Sequence, residues 1–283
     1  MRNALLSPPE LAAHLDDPDW VIVDCRFDLT RPEAGRAAYD AAHIPGARYA
    51  DLDRDLSAAR GPGTGRHPLP DPDTLAATFG AWGIGPGVRV AAYDADTGMY
   101  AARLWWLLRW LGHDAVAVLD GGLRAWREAG LPLSDSVTTC RPRVFEARVA
   151  DDAWFDSAAV AQLAGDPGWR LLDVRAAPRY AGDIEPIDPV AGHVPGARNY
   201  PFERSLDDAG RWRPVADVRA KLEAALERVP PQRTIIMCGS GVTACHVLLA
   251  MAACGLDGAR LYAGSFSEWI RDPQRPVATG PDP

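Results

Sequence analysis

No apolar run in this chain is long enough to cross a bilayer. The longest, Val247 to Leu256, falls far short of the roughly 18–20 residues a spanning helix needs. The opening MRNALLSPPE has an apolar core too short for an export signal, so a reducing cytoplasm is the expected compartment. A block of Lys or Arg is also missing. Lys plus Arg is 30 against 38 Asp plus Glu, a net charge of −8. Such a chain is a poor partner for nucleic acid or an anionic membrane, where neutralised phosphate supplies most of the affinity. The cysteines (Cys25, Cys140, Cys238, Cys245, Cys254) are odd in number and lack framework spacing. They read as free thiols. No C-x2-C or H-x3-H pair offers metal ligands. Gly61-Pro-Gly-Thr-Gly65 lacks the G-K-[ST] ending of a phosphate loop, and no strand precedes it.

Disorder is excluded by the composition, 47% hydrophobic and 24% charged. The 283 residues suggest about two domains, and an internal repeat says which two. Near the start, VIVDCRF…AAHIPGAR follows the same order as LLDVRAA…AGHVPGAR farther on. Asp24 and Asp173 lie 149 residues apart, and His43 and His193 lie 150 apart. Asp120-Gly-Gly-Leu-Arg-Ala-Trp126 echoes Ala263-Gly-Ser-Phe-Ser-Glu-Trp269 at a separation of 143. Three matched landmarks in one order mean two copies of one domain. Their expected extents are residues 1–135 and 151–283, with a proline-bearing, polar linker at 136–150.

Each copy alternates short apolar runs with helical stretches. Strands are expected at Trp20–Asp24, Val88–Tyr93 and Ala115–Leu119, then at Trp169–Val174, Thr234–Met237 and Arg260–Tyr262. Helices are expected over Met99–Leu111, Asp217–Arg228 and Val242–Cys254. Continuous apolar strands between helices predict an α/β fold, a mainly parallel sheet flanked by helices in each copy. His43 and His193 stand in the repeated H-[IV]-P-G-A. Because both copies keep that piece, it reads as part of the fold, with Gly46 and Gly196 making the turn.

The copies differ where chemistry is expected. The second runs T-I-I-M-Cys238-Gly239-Ser240-Gly241-Val242-Thr243-Ala244, and the first has Asp94 where the second has Cys238. Both are a strand, a tight polar loop and an apolar helix. Ligands of open α/β sheets bind beyond the carboxyl ends of the strands. A loop opening into a helix points N–H groups inward and adds the positive end of the helix dipole. A cysteine there is stabilised as thiolate, which makes Cys238 the candidate nucleophile. Gly239, Gly241, Val242 and Thr243 are the expected backbone cradle. The loop itself contains no Lys or Arg, so backbone donors are expected to do most of the stabilising. Asp94 cannot do thiolate chemistry, which leaves the first copy silent. A cysteine phosphatase needs an arginine six residues after its cysteine, and position 244 is alanine.

These residues resemble the tandem-domain rhodanese (sulfurtransferase) family. The resemblance covers nearly the whole chain. It rests on the two D-x-R…H-[IV]-P-G-A segments, on Trp105-Trp106 before Asp120-Gly-Gly, and above all on CGSGVTA at 238–244. That loop is similar to the loop of the 3-mercaptopyruvate branch. The thiosulfate-preferring branch usually has two basic residues where Gly239 and Ser240 stand. The resemblance implies that Ser240 joins a Ser-His-Asp relay with His67, in RHPLP, and Asp53, in YADLD. The cysteine-free domain would then still supply catalytic groups. It also implies that Arg179, in APRY, binds the donor's anionic group. A second arginine common in the branch is replaced by Asp188 in EPIDP, which is expected to weaken binding of an anionic donor.

The expected function is therefore transfer of sulfane sulfur from 3-mercaptopyruvate to a thiol or cyanide acceptor through a Cys238 persulfide. A thioredoxin-type dithiol is one acceptor, and no metal or organic cofactor is implied. Two alternatives stay open at this point: a thiosulfate sulfurtransferase, and a persulfide carrier or sensing module without a free small donor. A large exposed apolar patch near the loop would favour the carrier.

Overall fold

Two five-stranded parallel sheets organise the chain, one per repeat. The computed structural model describes residues 4–283. The first sheet uses β1 (Leu5–Leu6), β2 (Trp20–Asp24), β3 (Arg48–Tyr49), β4 (Arg89–Tyr93) and β5 (Val116–Leu119), in the order β1-β5-β4-β2-β3. The second uses β6 (Trp154–Phe155), β7 (Arg170–Asp173), β8 (Ala197–Asn199), β9 (Thr234–Met237) and β10 (Arg260–Tyr262), in the order β6-β10-β9-β7-β8. The two orders are the same topology. Between the strands run α1 (Pro8–Ala12), α2 (Glu33–Ala41), α3 (Pro72–Ala81), α4 (Ala101–Trp110) and α5 (Gly122–Glu128). The second repeat carries α6 (Ser157–Leu163), α7 (Ala177–Ala181), α8 (Val215–Leu226), α9 (Thr243–Ala253) and α10 (Ser265–Trp269).

The central strands form where continuous apolar runs predict them. Every residue of β9 is buried, as expected of a strand covered on both faces. Helices α1 and α3 start where local chemistry satisfies their orphan N–H groups. Asp71 caps α3 by accepting from the N–H groups of Asp73 and Thr74, with Pro72 opening the helix. In α1, Ser7 and Glu10 form a capping box. Helix α9 has no side-chain cap; it opens directly from the cysteine loop.

The repeated motifs prove to be fold elements. In each D-x-R the arginine forks its own aspartate: Arg26 Nη2 lies 2.6 Å from Asp24 Oδ2, and Arg175 Nη2 lies 2.5 Å from Asp173 Oδ2. Each guanidinium also donates to the carbonyl just before the repeated histidine, Ala42 O and Gly192 O, both at 2.8 Å. His43 and His193 stack on Tyr39 and Tyr180, and their Nδ1 atoms bond those tyrosines' carbonyls at 2.7 and 2.9 Å. The landmark tryptophans match as well. Trp126 Nε1 donates to Pro132 O, and Trp269 Nε1 to Pro276 O. Both are buried in their cores, where removing such a ring costs about 3–5 kcal/mol.

The chain divides into two compact units that are not continuous in sequence. One holds the chain up to Ala58, Leu69–Ala150 and Asp208–Trp212; the other holds Ala59–Pro68, Asp151–Asp207 and Arg213–Pro283. Residues 136–150 run along the first unit. Arg143 N donates to Gly80 O, Ala150 N donates to Trp110 O, and Phe145 packs edge-on against Phe79. The segment 59–68 comes from the N-terminal half of the sequence yet packs in the unit that owns Cys238. Among the described residues no helix is long and apolar enough to cross a membrane.

Candidate active site

Cys238 directly follows β9 and is only 3% exposed. Its backbone is pinned on both sides by α10. The N–H of Cys238 donates to Ser265 Oγ at 3.1 Å, and that hydroxyl donates on to Tyr262 O at 2.8 Å. The carbonyls of Cys238 and Gly239 accept from Phe266 N and Ser267 N at 3.0 and 2.9 Å. Ser265 makes its contacts from a left-handed backbone, φ +52°, which a non-glycine residue avoids. Its counterpart in the first repeat is Gly122, at φ +55°. There Leu123 N and Arg124 N donate to Asp94 O and Ala95 O at 2.9 and 3.0 Å, the same pair of bonds. The second repeat therefore keeps a strained serine where the first has an unstrained glycine.

The first repeat also shows what such a loop binds. The Asp94 carboxylate accepts from the N–H groups of Asp96, Gly98, Tyr100 and Ala101 at 3.2, 2.9, 2.9 and 3.4 Å. The first repeat fills its own anion cradle with a side chain. Burial still pushes the Asp94 carboxyl above its ordinary value, against the pull of those N–H groups. The corresponding segment of the second repeat is Gly239, Ser240, Gly241, Val242 and the start of α9 at Thr243, with a thiol in place of the carboxylate. The other four thiols donate to backbone carbonyls: Cys25 to Val23, Cys140 to Ala81, Cys245 to Gly241 and Cys254 to Val215. Burial raises the Cys25 and Cys254 thiols, which suits inert packing.

Ser240 and His67 meet. His67 Nδ1 lies 2.8 Å from Ser240 Oγ, and both residues are buried. This pairing spans 173 residues of sequence and depends on segment 59–68 packing in the second unit. Asp53 belongs to the first unit, where its N–H donates to Asp51 Oδ1 at 2.9 Å.

Arg179 sits in α7, and its neighbours form a chain of alternating charges. Arg175, held by Asp173, reaches Glu185 at 3.4 Å. Glu185 Oε1 takes Arg179 Nη2 at 2.8 Å, and Arg179 Nη2 reaches Asp188 Oδ2 at 3.3 Å. The other oxygen of Asp188 pairs with Arg66 Nη1. Glu185 also accepts the N–H groups of Ile187 and Asp188, both at 3.0 Å. Burial alone would push Glu185 up; the Arg179 bonds and these N–H groups outweigh it and hold the carboxyl below its usual value. For Asp188 burial wins and its carboxyl is raised.

Arg66 is the residue that sequence reasoning missed. A Cβ placed on Gly239 would lie 2.6 Å from Arg66 Nη2 and 3.6 Å from Arg179 Nη2. The loop itself contains no Lys or Arg, as its sequence shows, but two guanidiniums border it, brought from elsewhere in the sequence. The reading of Asp188 changes too. Its carboxylate does not stand bare against a donor; it lies between these two cations. The only available signal was the adjacency of Arg66 to His67. Among the described residues no group of three or more His, Cys, Asp or Glu is placed to hold a metal.

The chain has counterparts among known proteins. The rhodanese-like domain family matches residues 7–129 and 156–272. A probable 3-mercaptopyruvate sulfurtransferase from Pseudomonas aeruginosa is 49% identical over 278 residues, covering 98% of both chains. A putative thiosulfate sulfurtransferase from Mycobacterium tuberculosis is 40% identical over 283 residues, again covering 98% of both. Among solved structures, the 3-mercaptopyruvate sulfotransferase of Escherichia coli superposes with a TM-score of 0.80 at 30% identity, covering 94% of this chain and 99% of that one.

Proposed function

The chain belongs to the rhodanese-like sulfurtransferase family, and from that premise we propose that it moves sulfane sulfur from 3-mercaptopyruvate to a thiol or cyanide acceptor through a persulfide on Cys238. The observation that carries this reading is the His67–Ser240 pair, 2.8 Å long, in the same unit as the cysteine loop. In the first half-reaction the Cys238 thiolate attacks the donor sulfur. A sulfur–sulfur bond forms, and the donor's carbon–sulfur bond breaks. Its electron pair goes to carbon as the enolate of pyruvate, which must take a proton. Ser240 delivers that proton and is recharged by His67; Asp53 is given the relay's third role on the resemblance alone. In the second half-reaction an acceptor nucleophile takes the outer sulfur, and the sulfur–sulfur electron pair returns to Cys238. The cradle of Gly239, Gly241, Val242 and Thr243 stabilises the charge on sulfur in both halves, and Arg179 holds the donor's carboxylate.

Arg66 beside Gly239 favours a second donor, thiosulfate, because it restores a cation next to the thiolate. The charge chain argues the other way. Arg66, Arg179 and Arg175 are matched by Asp188, Glu185 and Asp173, so the site adds no net positive charge to hold a dianion. Steady-state rates with both donors and cyanide decide between them. A kcat/KM for mercaptopyruvate well above that for thiosulfate is expected; equal or reversed values make thiosulfate the donor.

A thioredoxin-type dithiol is the protein acceptor in this reading. Ile184 and Ile187 stand 58% and 42% exposed on the loop that carries Glu185 and Asp188, a small apolar contact suited to such a partner and short of the large patch that would favour a carrier. The cytoplasm is the compartment, in keeping with five cysteines that stand outside any disulfide.

A further inference from the structure

Two guanidiniums from distant parts of the chain converge on one carboxylate at the cysteine loop. Asp188 offers one oxygen to Arg66 and the other to Arg179. The pair is not a loose surface contact, since the side chains of Arg66 and Asp188 are only 15% and 3% exposed. Arg66 is also built in. Its N–H donates to Ser267 Oγ at 3.0 Å, and Ser267 in turn donates its own N–H to Gly239 O. The preceding Gly65 lies so close to α10 that a Cβ there would sit 2.6 Å from Gly264 O. The backbone that carries Arg66 is thus seated against the element that positions Cys238. Glycine at 239 leaves the space its guanidinium occupies.

From this geometry we infer that Arg66 is a donor-recognition residue, and that Asp188 is an internal stand-in for the donor's carboxylate which the donor displaces from between Arg66 and Arg179. The inference rests on the sulfur-transfer reading above and deepens it. Two planar forks facing one site suit a carboxylate, which each binds in its own plane. With the donor absent, Arg66 would otherwise lack a carboxylate and Arg179 would keep Glu185 alone at a largely buried site, a costly state that Asp188 relieves. When the donor's carboxylate enters, Asp188 withdraws and the two cations stay paired. A monoanion restores the charge balance that Asp188 leaves behind. A dianion overshoots it. Arg66 and Asp188 together therefore select for one negative charge, and the neutral residues of the loop need supply none of that selectivity.

The test compares 3-mercaptopyruvate with its methyl ester, which offers the same sulfur without the charge. Arg66→Gln is expected to raise KM for mercaptopyruvate by about ten- to a hundredfold, the worth of a charge-assisted contact. Its kcat should change less than about threefold and its KM for the ester less than about twofold. Arg66→Lys should recover part of the loss. Asp188→Asn should lower KM for mercaptopyruvate severalfold and leave the ester unaffected. Equal losses with acid and ester would mean that Arg66 only supports the fold, and would overturn the inference. So would an unchanged KM for the acid. Should Arg66→Gln fail to fold, Arg66→Lys and Asp188→Asn carry the same acid-against-ester comparison. If the unmodified chain turns over neither compound, the sulfur-transfer reading itself fails, a result distinct from either of these.

Discussion

Gly239 and Gly241 stand two places apart in the cysteine loop and should respond oppositely to one added methyl group. At Gly239 the new Cβ meets Arg66 Nη2 at 2.6 Å, with Arg179 Nη2 and Nη1 at 3.6 and 3.8 Å. The obstacle is the far end of a flexible side chain, and the Gly239 backbone lies outside the left-handed region. The guanidinium moves aside and the main chain stays. Gly239→Ala should therefore change stability by less than about 1 kcal/mol, helped by the lower entropy of the unfolded chain. The cost falls on binding. A displaced Arg66 forfeits one charge-assisted contact, about 1.5–3 kcal/mol, so KM for mercaptopyruvate rises about ten- to a hundredfold. Gly241 is at φ +75°, and its Cβ would sit 2.2 Å from Ala263 O, a backbone atom just before α10. Left-handed strain of about 1–2 kcal/mol adds to overpacking of about 1–3 kcal/mol, so Gly241→Ala should lose about 2–5 kcal/mol. Calorimetry with steady-state kinetics on both variants makes the comparison. The reasoning fails if Gly239→Ala loses as much stability as Gly241→Ala, or if its KM does not move.

Ser265→Gly should leave stability within about 2 kcal/mol, because relief of about 1–2 kcal/mol of left-handed strain offsets much of the two hydrogen bonds its hydroxyl makes, to Cys238 N–H and Tyr262 O, worth about 0.5–1.5 kcal/mol each. Its kcat should fall while KM holds, since the N–H anchor of Cys238 is lost and the donor's contacts are not touched; an unchanged kcat counts against the anchor. Glu185→Gln breaks a buried pair from one side and should cost about 3 kcal/mol at neutral pH. The folded-state value of Glu185 is depressed below 4.5, so its contribution is present above that pH and lost as the pH falls through the depressed value. Melting curves from pH 7 to pH 3 should show the two proteins converging; a difference independent of pH would refute the electrostatic origin.

The parts of this protein that could be read from sequence are those that depend on nearby residues. Strand β9, the loop at 238–244 and helix α9 follow one another, so apolar run, polar turn and apolar helix announce themselves together. The D-x-R and H-[IV]-P-G-A motifs were visible because the chain writes them twice. Strands β1, β3, β6 and β8 were not, since two or three residues carry no detectable period. Helix α10 escaped for the same reason: it spans five residues and starts at a left-handed serine. The role of Arg66 was hidden by a different cause. Its importance comes from where segment 59–68 packs, and no local pattern reports that. The resemblance singled out His67 and passed over its neighbour. Asp188 looked hostile to an anionic donor because its two guanidinium partners could not be seen along the sequence.

The claim on which everything else depends is that one sulfur atom travels on Cys238. Intact-mass measurement of the unmodified protein after brief exposure to mercaptopyruvate, with no acceptor present, tests it directly. The gain should be one sulfur atom per chain. Peptide mapping should place it on Cys238, cyanide should remove it, and Cys238→Ser should never acquire it. A sulfur atom retained by Cys238→Ser, or mapped to Cys25, Cys140, Cys245 or Cys254, would contradict the account.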